Sequence, residues 1–468
     1  MTGINNNRFG KYRGKKVLIV GMGRSGKAAL NVMSMADAEI SVYDARDVEW
    51  DEPALQQKIA DLGVTTFFNG IPVPDRAWDF VILSPGVNPA QAFIDKALSH
   101  GATLTGDLEL AYELGSGKFI GITGTNGKTT TTTLTGEIFK NAGVDSIVTG
   151  NIGKPTVTAA LSARADTVLI TEISSFQLET ARTFRPKISA MLNLTPDHLD
   201  RHGTMENYAA AKAKIFENQE ADDVFVYNFD DKAVHAMAES CSAELFPFSR
   251  KEQLAKGAFV RDGRIVLSGG GADAVIDLIA ADALRIPGMH NLENALAAAA
   301  IAYKAGIDPA VIAQTLKAFR GVAHRMELCG HIDDVRYVND SKGTNPDAAI
   351  KALEAVDTDI VLIAGGYDKH TDFREFINAF DGKVKHLILL GETAKQIRDA
   401  AESVGFTEIS DCGDLSECVI LAHEIASPGD TVLLSPACAS WDMYANFEER
   451  GEHFKQCVAD LPRARNGR

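Results

Sequence analysis

Residues 117–129 read GKFIGITGTNGKT, and this stretch decides the fold. KFIGI is a short apolar run, the composition of a buried strand. It runs into a Gly-rich loop that ends in Lys128-Thr129, and a Thr-rich helical pattern follows. Backbone N–H groups of such a loop can surround phosphate oxygens, the lysine adds a point charge, and a threonine hydroxyl can ligate Mg²⁺. The loop also opens a helix, whose N-terminal dipole favours anions. The stretch therefore predicts nucleoside triphosphate binding. Its spacing departs from the common P-loop, which would place glycine at 122, where this chain has Ile122 and carries Gly121 one residue early.

Outward from that loop the chain reads strand–helix–strand to both ends, which predicts parallel α/β architecture. Three domains are expected, at 1–106, 107–321 and 322–468. The first opens with KKVLIV (15–20), ISVYD and DFVIL (79–83). The second holds the phosphate loop, TVLITE (167–172), ISAMLNL, DVFVYN (223–228) and a hairpin, AFVRDGRIVL, turning at Asp262-Gly263. GGGAD (269–273) reads as a surface loop, and two helices near 291–305 and 309–319 close the block. The third contains RYVND (336–340), DIVLIAGG (359–366), HLILLG (386–391) and TVLLSPA (431–437). The MTGINNNRFG start is polar and is expected to fray.

Composition sets bounds. The chain has 468 residues, 45% of them hydrophobic and 24% charged, as in an ordinary globular protein. Its 63 acidic and 47 basic side chains give a formal net charge of −16, which argues against nucleic acid or an anionic membrane as the main partner. The six cysteines are scattered, with no CxxC pair, and fit reduced thiols in a cytosol rather than a zinc site. No apolar stretch is long enough to span a bilayer.

GMGRSG (21–26) follows a strand and opens a helix, and Asp44 ends the next strand. This is the dinucleotide fingerprint. With a separate triphosphate loop downstream it points to a nucleotide-diphosphate ligand; a nicotinamide cofactor and a purely structural turn are the competing readings. SPGV (84–87) ends a strand in the same block and should line the same crevice. Glu172 ends TVLITE, where a carboxylate can hold Mg²⁺ beside the phosphate loop. His198, in TPDHLDRH (195–202), is a second ligand or a proton acceptor. Lys212 and Lys214 lie two apart on a helical segment and so face different ways. Asn291 and Asn294 share one helical face and could read an adenine edge, with N-cap chemistry as the alternative. NDSKGTNPDA (339–348), AGGYDKHTDF (364–373) and SPACASWDMY (435–444) each begin at a strand end. Lys342, Thr344, Lys369 and Ser440 thereby gather cations and hydroxyls at one sheet edge, which suits a carboxylate-rich substrate.

Taken together, GITGTNGKTT, the strand-end Glu172, NLTPDHLD, MHNLENALAA, HRME (324–327) and NDSKGTNP resemble the Mur ligase family of bacterial cell-wall synthesis, in that family's order and over essentially the whole chain. GMGRSG, SPGV, EISSFQLE and SPACASWDMYANFEERGEHF are most similar to the member that adds D-glutamate to UDP-N-acetylmuramoyl-L-alanine. Another member, or a folylpolyglutamate synthetase-like amide ligase, is the alternative. The resemblance implies a Rossmann-like UDP-sugar domain, a P-loop-type ATPase and a Rossmann-like amino-acid domain. It implies the use of ATP and two Mg²⁺ to form an acyl phosphate, which the amine then displaces; a cytoplasmic monomer is expected.

By the same resemblance, Gly124, Thr125, Asn126, Gly127, Lys128, Thr129, Thr130, Asn291, Asn294, Arg325 and Asp340 contact ATP. Thr129 and Glu172 hold one magnesium; His198 and Lys212 hold the other, with Lys212 carbamylated and Lys214 as fallback. Lys128, His198 and Lys212 are the catalytic set. Ser25, Asp44, Arg46, Ser84, Pro85, Gly86, Asn151 and Ser174 face the UDP-sugar side. Thr344, Lys369, Ser440, Trp441 and Phe447 face the amino acid; Trp441 stands where many relatives carry an aliphatic residue.

Overall fold

A computed structural model describes residues 8–45, 53–69, 71–270, 275–286, 288–367 and 371–462. Arg46, Lys369, the first seven residues and Gly271–Asp273 of the GGGAD segment lie outside the described residues.

The first sheet is wholly parallel. It is built from β1 (Lys16–Val20), β2 (Glu39–Asp44), β3 (Thr65–Phe68), β4 (Phe80–Leu83) and β5 (Thr103–Gly106) in the order β3-β2-β1-β4-β5. Strand order reverses between β1 and β4. The loops leaving these two strands diverge there and open a crevice at their carboxyl ends. Those loops are GMGRSG and SPGV.

The central sheet has nine strands: β6 (Lys118–Thr123), β7 (Ser146–Gly150), β8 (Val168–Glu172), β9 (Ile188–Met191), β10 (Val224–Asn228), β11 (Glu244–Ser249), β12 (Gly257–Arg261), β13 (Arg264–Ser268) and β14 (Ile276–Ala280). Their order is β14-β13-β12-β11-β10-β9-β6-β8-β7. Pairing is parallel except where β13 meets β12 and β14. The β12–β13 hairpin turns on Asp262 (φ 49°) and Gly263 (φ 72°), the left-handed pair that a two-residue turn requires. Helices Met289–Lys304 and Pro309–Ala318 close this unit. The first buries six alanines among its eleven buried residues, which lets it lie close on the helix Lys128–Asn141 that follows the phosphate loop.

The third sheet holds β15 (Glu327–Ile332), β16 (Val335–Asn339), β17 (Ile360–Ala364), β18 (Val384–Leu389), β19 (Ile409–Asp411) and β20 (Thr431–Leu434), in the order β15-β16-β20-β17-β18-β19. β15 alone runs antiparallel to its neighbour. β16, β20 and β17 are adjacent and parallel, so the loops after them emerge side by side. Those are the three loops that the sequence placed at one sheet edge.

Hydrophobic cores follow the sheets unevenly. One continuous cluster joins Val17, Ile19 and Phe80 of the first sheet's unit to Leu108, Phe119, Phe184 and Phe225 of the central one. The third sheet is sandwiched by two clusters of its own, built around Leu362 with Phe376 on one face and Ile363 with Phe454 on the other.

Candidate active site

The phosphate loop leaves β6 and ends at Gly127, which caps the helix Lys128–Asn141 with φ 82°. Glycine is required there twice over: the dihedral is left-handed, and a Cβ would collide with Asn294 Oδ1. Lys128 folds back onto the loop, donating to the carbonyls of Gly124 (2.9 Å) and Thr125 (2.6 Å). Burial pushes its amine below the ordinary lysine range, while Glu172 and Asp197 pull the other way. Thr125 Oγ1 lies 3.2 Å from the Tyr208 hydroxyl, and Asn126 N–H donates to Asn193 Oδ1 at 2.8 Å. The N–H of Thr125 is likewise taken, by Asn193 O at 3.1 Å, so Asn193 holds the middle of the loop from behind.

A cavity of about 290 Å³ lies over the loop. Its wall carries Thr125, Asn126, Gly127, Lys128 and Thr129 from the loop, with Asn151, Glu172 and His198 from neighbouring strand ends. Arg325, Lys342, Thr344 and Phe447 reach in from the third sheet's side. Thr130, Asn294, Arg325 and Asp340 line an adjoining cleft with Asn126 and Gly127, and Asn291 lines a further cavity beside Thr130 and Arg325. Asn294 donates to Asn291 Oδ1 at 3.1 Å, so the two amides do share a face.

Glu172 is 1% exposed. One carboxylate oxygen accepts from Asn151 Nδ2 at 3.0 Å. The other is buried with no hydrogen-bond partner among the described residues. An orphaned carboxylate oxygen inside a phosphate site is costly unless a cation meets it. Glu172 and the hydroxyl of Thr129 thus suit Mg²⁺ bound with phosphate oxygens. His198 sits on the same wall in a left-handed conformation (φ 54°), with the Phe176 ring 4.7 Å from its own.

Lys212 is 1% exposed and is not on that wall. Its amine donates to Gly124 O at 2.7 Å, behind the loop, and lies 4.8 Å from the centre of the Tyr208 ring. Burial drives its pKa well below the ordinary lysine value, with Lys128 adding to the effect. Lys214 points elsewhere, donating to Glu179 O at 2.7 Å.

The first-sheet crevice forms a cavity of about 620 Å³ whose wall includes Ser25, Asp44, Ser84, Pro85, Gly86 and Asn151. Two of these also shape the turn: Asp44 accepts from Met22 N–H at 2.9 Å, and Ser84 donates to Gly21 O at 2.7 Å. Ser174 does not line it. Its hydroxyl caps the short helix Ser175–Glu179 in a capping box with Gln177. Gln177 lines the cavity instead.

On the third sheet, Ser440 is buried beside the loop after β20, whereas Trp441 is 63% exposed and packs on Tyr367. Three loops there are joined by Arg450, which is 2% exposed. It donates to Ser341 O (2.8 Å), Ser341 Oγ (3.0 Å), Cys438 O (3.1 Å) and Ala439 O (3.2 Å). Tyr367 N–H shares Ala439 O at 2.9 Å. Neither Arg450 nor Gln177 has a local sequence signal, because each acts on loops distant in the chain. Burial lowers Lys342 to about 8, opposed by Glu172. Asp340 is raised to about 6 by burial, with Arg325 and Ser435 opposing.

Family comparisons agree with this layout. Residues 15–106 match the Mur ligase MurD-like N-terminal domain, 122–302 the Mur ligase middle domain, and 324–438 the Mur ligase glutamate ligase domain. The UDP-N-acetylmuramoylalanine--D-glutamate ligase of Thermoanaerobacter sp. (strain X514) is 48% identical over 464 residues, covering 97% of this chain and 100% of the relative. The protein of the same name from Alkaliphilus oremlandii (strain OhILAs) is 48% identical over 452 residues, covering 96% and 99%. Among solved structures, a pseudomurein peptide ligase type C from Methanothermus fervidus aligns with TM-score 0.59 at 17% identity, over 96% of this chain and 100% of that one, a likeness of fold. A phosphate loop facing a sugar-nucleotide-type crevice on one side and a third α/β unit on the other, with all three units matched in order, has one conclusion: the chain belongs to the Mur ligase family.

Proposed function

We propose that this chain joins D-glutamate to UDP-N-acetylmuramoyl-L-alanine at the expense of ATP, in the synthesis of a peptidoglycan precursor. The observation that carries the reading is one cavity wall on which residues of the phosphate loop, Glu172, and Lys342, Thr344 and Phe447 of the third unit face each other. Relatives named for this reaction, 48% identical along nearly the whole chain, support the choice of donor and acceptor.

A donor carboxylate oxygen attacks the γ-phosphorus, the bond to the β,γ-bridging oxygen breaks, and ADP leaves. The acceptor's amine then attacks the acyl carbon, phosphate leaves with one former carboxylate oxygen, and the nitrogen loses a proton to give the amide. Every reactant is anionic, so the site must supply positive charge where negative charge gathers. Lys128 and the loop's N–H groups serve the phosphates. Thr129 and Glu172 would hold Mg²⁺, which neutralises the phosphates and orients them for in-line transfer. His198, with a carbamylated Lys212, would hold a second Mg²⁺. The lowered pKa of Lys212 supports this, because a neutral amine is the form that adds CO₂. Asn291, Asn294, Arg325 and Asp340 take the adenosine. Ser25, Asp44, Arg46, Ser84, Pro85, Gly86 and Asn151 take the sugar nucleotide. Thr344, Lys369, Ser440 and Phe447 take the acceptor's carboxylates. Ser174 and Trp441 act at the edges, through the helix cap and the exposed aromatic pair.

We assign the domains to 1–106, 107–321 and 322–468, in keeping with the extents of the three sheets. The protein works as a cytoplasmic monomer; among the described residues no helix is long and apolar enough to cross a membrane. The deciding experiment is phosphate release with ATP, the donor and a panel of amino acids, with the product identified by mass. Release that needs all three substrates and is selective for D-glutamate is expected. Equal rates with L-alanine or diaminopimelate would overturn the acceptor assignment.

A further inference from the structure

The sugar-nucleotide crevice and the phosphate-loop cavity are separate hollows whose walls have two residues in common, Arg24 and Asn151. A donor that lies in the first and is phosphorylated in the second must pass its carboxylate between them. Asn151 is already engaged: its N–H donates to Glu172 O at 2.9 Å and its amide to Glu172 Oε1 at 3.0 Å. Arg24 is exposed and has no hydrogen-bond or ion-pair partner among the described residues. The carboxylate that feels its charge, Asp107, is buried with its oxygens accepting from the N–H groups of Thr156 (2.9 Å) and Val157 (3.2 Å).

The placement of Arg24 is unfavourable for the apo protein. It is the first residue of the helix Arg24–Met35, and no acid stands in that helix's first turn. A cation at a helix N-terminus opposes the helix dipole. Two positive elements, the helix end and the guanidinium, therefore point into a passage that a carboxylate must enter and a phosphoryl group must meet. A planar guanidinium can bridge two oxyanions with parallel N–H groups, which lysine cannot.

We propose that Arg24 is a catalytic residue that spans the donor carboxylate and the γ-phosphoryl group while the acyl phosphate forms. It keeps its proton throughout. As the carboxylate oxygen bonds to phosphorus and ADP departs with the electron pair of the broken P–O bond, the guanidinium offsets the repulsion of the two anions. This role rests on the acyl-phosphate reading above and adds to it a residue from the first unit.

The test is single-turnover ADP formation from ATP and UDP-N-acetylmuramoyl-L-alanine, without acceptor, in the full chain and in R24L and R24K. Arg24 is on the surface, so both variants should fold, and circular dichroism checks it. The R24L burst should slow about 100-fold, the scale of losing one oxyanion donor, and R24K should recover about tenfold of that loss. Donor affinity, measured by calorimetry, should change by less than about threefold. A wild-type burst rate in R24L overturns the proposal. So does a loss confined to donor affinity with the saturated rate intact, which would make Arg24 a diphosphate ligand only. Absence of a donor-dependent burst in the wild type would instead remove the ligase reading itself, before any variant is compared.

Discussion

Replacing Asp340 with asparagine should make the unliganded protein more stable and a poorer enzyme. The carboxylate is fully buried at the end of β16. It accepts from Ser435 Oγ at 2.9 Å and Met326 N–H at 3.3 Å, and Arg325 Nη1 is no nearer than 4.0 Å. These contacts do not offset desolvation, and its pKa rises from 3.8 to about 6. The folded state then holds the proton more tightly than the unfolded chain. Below about pH 4 both states are protonated and nothing is lost; between about 4 and 6 the folded state progressively gives up stability; above 6 the full penalty stands. Two pKa units correspond to roughly 3 kcal/mol. Asparagine presents an amide N–H where one acceptor was, which returns about 1 kcal/mol. The net expectation for D340N is about 2 kcal/mol of added stability at pH 7.5, turning into a loss of about 1 kcal/mol by about pH 4, where only the missing acceptor counts. Urea unfolding followed by the ¹⁹F resonance of 5-fluorotryptophan at Trp441 reads the third unit specifically. Equal ΔΔG at pH 7.5 and pH 5, or a less stable variant at both, would refute the reasoning. The same variant should bind ATP more weakly, since the strained charge is what the nucleotide meets.

Four further outcomes are expected. K212A should lose turnover entirely without rescue by bicarbonate, since no amine remains to be modified; full activity would remove Lys212 from the metal site. In CO₂-free buffer K212M should gain on the wild type in Tm as pH falls from 10 towards 7, because the buried amine must take up a proton that the unfolded chain accepts freely. G127A should lose nucleotide binding, measured by titration with ADP, because its left-handed dihedral costs about 1–2 kcal/mol and its Cβ displaces Asn294. R450K should raise KM for D-glutamate by about tenfold or more, with KM for the sugar nucleotide unmoved, because one ammonium cannot reach Ser341, Cys438 and Ala439 together.

Local chemistry made much of this legible. The GTNGKT loop, the Asp262-Gly263 turn and the buried runs VLIV, FVIL and IVLIA each declare themselves within a few residues. β3, TTFF, and β19, ISD, are short, half-exposed edge strands without an apolar run or a clear alternation to mark them, and pairing with a neighbour makes them strands. Helical periodicity separated Lys212 from Lys214 but could not say which one meets the phosphate loop. That depends on how the helix Met205–Glu217 seats against β6. Ser174 was legible as a polar residue at a strand end, yet its hydroxyl is taken by the helix it starts. Arg24 stands inside the GMGRSG fingerprint with no local signal of its own, and its interest arises because two hollows meet there.

The uneven division of apolar packing bears on how the molecule comes apart. The first and central units share one oily interior, and Arg201 fastens them by donating to Pro85 O at 2.8 Å. The third unit keeps its own interior and touches the centre through polar side chains: Asp347 with Asn126 and Thr195, and Asn345 with Asp197. Calorimetry should therefore resolve a two-unit block and a separate lobe as distinct melting events. Ligands that span the seam should draw the two peaks together, so that the heat trace becomes a gauge of how far substrates rivet the enzyme into one body.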